Sequence, residues 1–190
     1  MKPSVLFIEE IIIKSIIIVF VLLFVFIFSS EITLADQDKD EHKKTKSRVL
    51  LVKKILRDYN VFIRQESNAT GIPFEILVAL IATESEGRQK ALSSKKARGL
   101  MQTRNIADRE TGIVCKNETP ACQIKKGAYY LKYLVNEKKI PKWSKVFLAY
   151  NEGIKGSKKF NSRQTLRHVQ VIKCNYYLDI VRKIKREMFK

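Results

Sequence analysis

The chain is poor in residues that interrupt helices and has no sustained strand pattern. Among 190 residues there are 7 Gly, 4 Pro and 1 Trp. No segment alternates apolar and polar residues as a half-buried strand does, which argues against an all-β fold. The 2 His, at positions 42 and 168, lie far from any Cys-x-x-Cys spacing, so a zinc site is not expected. We expect neither a metal nor any other cofactor.

Acidic residues are also scarce compared with basic ones. The chain carries 37 Lys and Arg against 19 Asp and Glu, and its formal net charge is +18. Such a protein is attracted to polyanions. The basic residues are scattered and do not alternate with aromatic ones, so nucleic acid is not the expected partner. Anionic cell-wall peptides and phospholipid head groups are the expected counterparts, and plain solvation of helix surfaces by Lys is the alternative.

The first 35 residues form a segment of different composition. Residues 15–28 are almost wholly apolar, with Lys14 before them and small residues near Ala35 after them. A run of roughly 14 apolar residues is typical of a secretory signal and short for a spanning helix, so residues 1–35 are interpreted as a signal peptide. The alternative is an uncleaved inner-membrane anchor. Either way we expect the rest of the chain to be periplasmic or otherwise extracytoplasmic, and to meet the membrane only through this segment.

The remaining chain predicts one helical domain preceded by a tether. Residues 36–48 are charged and polar without periodicity, which predicts a flexible tether. Residues 49–190 are long enough for one domain with a buried core. Helical spacing predicts a mainly α domain of about six helices with little or no sheet. The periodic segments are 49–65, 73–85, a helix opening at Pro120, 143–150 and 165–185, the last with an apolar face of Val169, Ile172, Tyr176, Ile180 and Ile184.

The three cysteines predict one disulfide. Cys115 and Cys122 are seven residues apart and would close a short loop in an oxidising compartment. Cys174 is then left over. Pairing of Cys174 with either of the others stays open, because disulfide geometry depends on the fold.

Short motifs follow one another in the domain. A Glu-Ser pair at 84–85 ends the apolar 73–85 segment, and Ser93 stands nine residues after Glu84. The later motifs are Ala-Arg-Gly-Leu-Met-Gln at 97–102, Gln-Ile-x-x-Gly-x-x-Tyr-Leu at 123–131, and Ala-Tyr-Asn-Glu-Gly at 149–153.

In this order the motifs resemble the catalytic domain of the soluble lytic transglycosylases, relatives of goose-type lysozyme that cut the glycan strands of bacterial peptidoglycan. The resemblance covers roughly residues 55–178 and implies a lysozyme-like domain. Two departures are the missing Pro after the Gly-Leu-Met-Gln turn and His168-Val169 where the family tends to have Tyr-Val. The resemblance implies Glu84 as the catalytic acid and a set of substrate-binding residues: Ser93, Gly99, Leu100, Met101, Gln102, Tyr150, Asn151 and His168.

The resemblance also implies separate roles for these residues. Ser93 would bond near the acid or to substrate, and Gln102 would offer its amide to the sugar substituents. Met101 would give the glycan an apolar contact, with a core position as the alternative. The hydroxyl of Tyr150 would face the catalytic carboxyl, with Asn151 beside it at the substrate.

Glu84 suits acid catalysis on physical grounds as well. A carboxyl held against apolar walls has a raised pKa and stays protonated near neutral pH, as a general acid requires. The alternative is an ordinary exposed Glu, although a helix C-terminus disfavours its negative charge. In the family one Glu protonates the leaving oxygen and then takes a proton from the C6 hydroxyl, which attacks C1 and gives a 1,6-anhydro product. No second carboxylate is needed for that reaction.

Two other functions are open. A hydrolytic muramidase of the same fold would need a second carboxylate, and the candidates are Glu86, Asp108, Glu110 and Glu152. The second open function is that of a catalytically idle wall-binding or assembly factor. The compact domain is similar to transglycosylases that serve a secretion or conjugation apparatus, which makes such an apparatus a candidate partner beside the peptidoglycan itself.

Overall fold

The structure is a computed structural model, and it describes residues 41–188. The predicted signal or anchor and the start of the predicted tether lie outside the described residues. The chain divides into two compact units, the second of which is Arg48–Lys190. Between residues 41 and 188, no helix has the length and apolar character needed to cross a membrane.

Residues 41–47, in the first unit, are helical and exposed. This part of the predicted tether is therefore helical, and its flexibility stays a prediction. Four of these seven residues are Glu or Lys, which are good helix formers, and a wholly exposed helix needs no apolar periodicity.

Helices make up most of the described part of the second unit. They are α1 (48–70), α2 (Phe74–Ser85), α3 (Asn105–Thr111), α4 (Pro120–Lys132), α5 (Trp143–Ser157), α6 (Ser162–Arg167) and α7 (Val169–Met188). α4 continues into a π-helical turn over Tyr133–Glu137. Over 41–188 the only β-pairing is a pair of isolated bridges that join Leu92 to Arg98 and Arg98 to Thr103. The prediction of a mainly α, lysozyme-like domain with little or no sheet is confirmed.

The central helix is α2. Every residue from Ile76 to Ala82 is buried, as expected for a helix that is apolar on most sides. Among the helices from α3 to α7, its main packing partner is α7. After Ala82 the sequence of α2 becomes polar, with Thr83 and Glu84 half-buried at the edge of the core and Ser85 buried.

The last predicted helix is two helices in the structure. α6 ends at Arg167, His168 is extended, and α7 begins at Val169. The predicted apolar face is partly wrong, because Val169 and Ile172 are 64% and 52% exposed. Ile180 and Ile184 are buried as predicted, and the other buried positions of α7 are Val171, Cys174, Tyr177, Leu178 and Val181. Because the helix breaks at His168, α7 is turned about its axis relative to α6. A single helical period across 165–185 therefore predicts the wrong buried face at the start of α7.

Two cysteines join the loop before α4 to its first turn. The disulfide between Cys115 and Cys122 is present, as predicted. Cys174 is a free thiol and is buried on α7.

The turn over residues 99–102 is fixed against α4. Gln123 on α4 accepts a hydrogen bond from the Leu100 amide at 2.9 Å, and its own amide donates to the Glu118 carbonyl at 2.9 Å. Gly99 has φ of +76°, and a Cβ at this position would lie 2.4 Å from the Gln123 side chain. A Cβ on Gly127 would likewise lie 2.3 Å from the Met101 sulfur. Both glycines therefore permit close approach of the turn to the helix.

Candidate active site

The carboxyl of Glu84 lies in the last turn of α2 and is largely buried. Burial raises its pKa to about 8, against the opposing effects of a hydrogen bond from Gln170 and the positive charge of Lys173. The Gln170 amide nitrogen donates to Glu84 Oε1 at 2.5 Å. At neutral pH this carboxyl is mostly protonated, which is the state that a general acid requires.

The neighbours of Glu84 in the sequence point elsewhere. Ser85 is buried, and its hydroxyl donates to the Leu100 carbonyl at 2.7 Å, which ties the end of α2 to the turn over 99–102. Glu86 adopts a left-handed conformation with φ of +55° and ends the helix. Its side chain is exposed and lies 4.0 Å from Arg88. The second carboxylate of the Glu-Ser-Glu sequence thus points into solvent.

Tyr150 connects the turn to the neighbourhood of Glu84. It is buried, and its hydroxyl donates to the Met101 carbonyl at 2.7 Å. Burial, and next the negative charge of Glu84, raise the pKa of Tyr150 well above its usual range, so the two groups are electrostatically close. Because the hydroxyl has a single hydrogen, it donates to Met101 and not to Glu84 in this arrangement, and so holds the turn beside Glu84. The resemblance implied that this hydroxyl faces the catalytic carboxyl, and that stays a prediction.

Several predicted substrate contacts are internal bonds in the structure. The Ser93 hydroxyl accepts from the Ala97 amide at 3.0 Å and so closes its own loop rather than bonding near Glu84. Met101 is 1% exposed, which is the core position given as the alternative. The Gln102 amide donates to the Ala91 and Gly99 carbonyls, both at 3.0 Å, so its nitrogen is already used within the turn. These three side chains shape the turn, whereas Asn151 is exposed and open to a ligand.

His168 is placed beside the Gln170 that contacts Glu84. Its Nε2 lies 3.3 Å from a Glu152 oxygen, and its Nδ1 accepts from the Gln170 backbone amide at 3.3 Å. The ring also meets Phe160 edge-on at 5.4 Å. His168 therefore links the end of α5 to the start of α7 and supports the residue that holds the acid.

A cavity of about 920 Å³ opens next to Tyr150. Its lining includes Gln102, Tyr130, Tyr150 and Glu152 but not Glu84. Tyr150 is thus the side chain shared between this cavity and the surroundings of Glu84. The cavity has the size of a site for a sugar chain or its substituents.

The four carboxylates that could activate water in a muramidase differ in their position relative to the cavity. Glu110 and Glu152 line the cavity, and Glu152 is engaged by His168. Asp108 forms an ion pair with Lys126 at 3.0 Å, and neither it nor Glu86 lines the cavity.

Sequence reasoning missed three residues that build the site. Gln170 bonds Glu84 from α7, Ser85 bonds the turn, and Gln123 seats the turn on α4. Ser85 and Gln123 stand within the recognised motifs, so the motifs themselves were the signal. Gln170 carries no signal in the sequence, because only the packing of α7 on α2 brings it to Glu84.

An all-α domain with one protonated carboxyl at the end of its central helix is lysozyme-like. Residues 61–170 match the family described as the transglycosylase SLT domain, which is more than half of the chain. The chain belongs to that family of lytic transglycosylase domains.

One solved structure shows the same fold. It is the lytic transglycosylase Slt from Pseudomonas aeruginosa, as an inactive Glu-to-Gln mutant, with a TM-score of 0.53 and 18% identity. The likeness covers 65% of this chain and 22% of that one, so this chain spans about a fifth of that protein. No curated protein matches the chain.

Proposed function

We propose that the domain is a peptidoglycan lytic transglycosylase that cleaves the MurNAc–GlcNAc bond with Glu84 alone. Protonated Glu84 gives its proton to the glycosidic oxygen as the bond from that oxygen to C1 breaks. The resulting carboxylate takes the proton of the C6 hydroxyl as that oxygen bonds to C1. The products are a 1,6-anhydro-muramyl end and a free GlcNAc hydroxyl, and Glu84 is protonated again.

The observation that supports this proposal is the protonation state of Glu84. A pKa of about 8 means that the carboxyl carries a proton at neutral pH and that its conjugate base is strong enough to accept one. Gln170 bonds Oε1 and so leaves Oε2 for the transfer. The attacking hydroxyl belongs to the substrate, so its effective concentration is high without a bound water.

Replacement of Glu84 by Gln tests the assignment. Glu84→Gln keeps the shape of the side chain and the oxygen that accepts from Gln170, but it cannot donate a proton. We expect a rate loss on the order of 10²–10⁴ on purified cell wall. Glu86→Gln, two residues away and exposed, is the matched control and should stay near the parental rate. Cell-wall lysis by Glu84→Gln at the parental rate would exclude Glu84 as the acid.

Hydrolytic muramidase activity is the second candidate, and the position of Glu152 in the cavity lining favours it. Mass spectrometry of the products separates the two, because reducing ends are heavier than anhydro ends by one water. We expect anhydro ends from the parent and a modest effect of Glu152→Gln. Reducing ends together with a severe loss in Glu152→Gln would establish the muramidase, and no products from the parent would indicate an idle wall-binding factor.

We also propose that the protein acts outside the cytoplasm. The disulfide between Cys115 and Cys122 supports this location, because disulfides persist in oxidising compartments.

A further inference from the structure

The cavity next to Tyr150 carries a large excess of positive charge. Eight Lys or Arg side chains line it, against two carboxylates. Lys95, Lys96 and Arg98 come from the loop before the turn over 99–102, and Lys155 and Lys158 come from the end of α5. All eight are exposed, so their charged groups are accessible to a ligand.

Most of this charge is not balanced by the protein around it, although Lys138 contacts Tyr133 and is attracted by Glu110 and Glu137. Of the two carboxylates in the lining, Glu152 already faces His168 at 3.3 Å. Among residues 41–188, none of the eight cations has a carboxylate oxygen within 4.0 Å. Like charges that line a concave surface reinforce one another's field and attract anions to it. The cavity is therefore built to receive a negatively charged group.

The position of the cavity indicates which anion. Glu152 lines it and lies 3.3 Å from His168. His168 accepts a hydrogen bond from Gln170, whose side chain holds Glu84, so the cavity adjoins the surroundings of Glu84. The sugar rings of peptidoglycan are neutral, and its negative charges are the carboxylates of the peptide stems. Lys side chains suit such stems, because flexible ammonium groups meet carboxylates at varied positions.

We propose that this cavity recognises the free carboxylates of the peptide stems, so that glycan strands with intact, unamidated stems are the preferred substrate. The proposal deepens the proposed function and rests on it. It assigns to Lys95, Lys96, Lys155 and Lys158 a part in substrate choice that is separate from the chemistry at Glu84.

The test compares three forms of one glycan preparation. The first has free stem carboxylates, the second has them coupled to a neutral amine, and the third has the stems removed. We expect the parental kcat/KM on free-carboxylate strands to exceed that on the other two by about tenfold, the effect of a few exposed ion pairs acting together. In Lys95→Gln/Lys158→Gln this ratio should fall to about threefold or less. Because it is a ratio within one variant, it does not depend on the folded fraction.

Lys183→Gln/Arg186→Gln is the matched control. It removes the same charge from exposed positions of α7 that do not line the cavity. This variant should keep the parental ratio. An equal fall in the control would show that overall charge sets the preference, and equal parental rates on the three substrates would overturn the proposal.

Binding to the Glu84→Gln protein separates the two proposals. Fluorescence anisotropy with labelled strands reports recognition without cleavage. We expect free-carboxylate strands to bind about tenfold more tightly than amidated ones, whether or not the parent cleaves them. If cleavage fails but this difference holds, only the proposed function falls. Displacement of the strands by an oligonucleotide of the same total charge would show general attraction to polyanions and overturn the stem assignment.

Discussion

At the residue scale, the ionisation of the buried Glu84 carries a large electrostatic cost. Its pKa is 4.5 in an unstructured environment and about 8 in the folded protein. Below pH 4.5 both states are protonated, whereas above it the unfolded state ionises first. The stability that the buried, neutral carboxyl provides is therefore lost progressively as the pH rises toward about 8.

Glu84→Gln should consequently stabilise the protein while it removes activity. The amide stays neutral at every pH, so the free energy of unfolding at pH 8 should exceed the parental value by at least about 1 kcal/mol. At pH 4 the two proteins should unfold alike. Thermal unfolding at both pH values checks this, with the exposed Glu86→Gln as control. Equal parental and variant stability at pH 8 would mean that burial does not hold the Glu84 proton.

Burial of Glu84 sets the upper pH limit of the proposed reaction, and Gln170 lowers that limit. Its hydrogen bond stabilises the ionised form of Glu84 and lowers the pKa. Gln170→Met keeps the length of the side chain and removes the donor, so the pKa of Glu84 should rise. The fall of kcat/KM on the alkaline side should move to higher pH, and kcat should drop because the carboxyl is less well oriented. A pH–rate profile measures both, and Gln65→Met on the exposed face of α1 should move neither.

The sequence predicts a residue's chemistry better than its contacts. Glu84 could be recognised because burial follows from the apolar helix before it. Met101 and Gln102 lie in the same motif, yet one is in the core and the other bonds its own turn. Their directions depend on how the turn packs against α4, and residue type alone does not encode that.

At the element scale, the turn over 99–102 depends on two constraints at Gly99. A Cβ there would meet both a left-handed backbone and the Gln123 side chain at 2.4 Å. Gly112 has a similar φ of +70° but no atom within 4 Å of such a Cβ. Gly112→Ala should cost about 1 kcal/mol for the backbone alone. Gly99→Ala should cost a further 1–3 kcal/mol, roughly, for the clash, and should lower activity because the Gln123 bond to Leu100 is displaced.

Denaturant unfolding of the two Ala variants and the parent measures the difference. The loss of stability in Gly99→Ala minus that in Gly112→Ala removes the backbone cost common to both. The difference is the cost of the contact between the new Cβ and Gln123. Equal losses in the two variants would show that Gln123 moves aside freely and that it does not fix the turn.

Long periodic helices were predictable, and short capped ones were not. α2 follows the predicted segment 73–85 to within one residue. Most of its residues are apolar, so the sequence marks it clearly as a buried helix. α6 has 6 residues and is fixed by a capping box between Asn161 and Gln164. Its end at Arg167 falls inside a segment whose apolar spacing continues, so periodicity joined it to α7.

At the scale of the whole molecule, the cysteines report where the protein matures. The disulfide between Cys115 and Cys122 and the buried thiol of Cys174 predict one reactive thiol in the unfolded, unreduced protein. Thiol counting after denaturation, followed by peptide mapping, should find that single group at Cys174. Protein isolated with three free thiols would contradict maturation in an oxidising compartment.

The buried thiol of Cys174 also makes the opening of the α2–α7 helix pair measurable. The thiol is fully buried on α7, its pKa is raised to about 12 by that burial, and Thr83 and Glu84 on α2 lie within its electrostatic reach. A thiol reagent can therefore reach it only while α7 stands away from α2. The labelling rate, divided by that of the unfolded chain, gives the fraction of time that this helix pair spends apart. The opening of the helix that carries the acid can thus be measured at its own native thiol, without substrate and without an introduced cysteine.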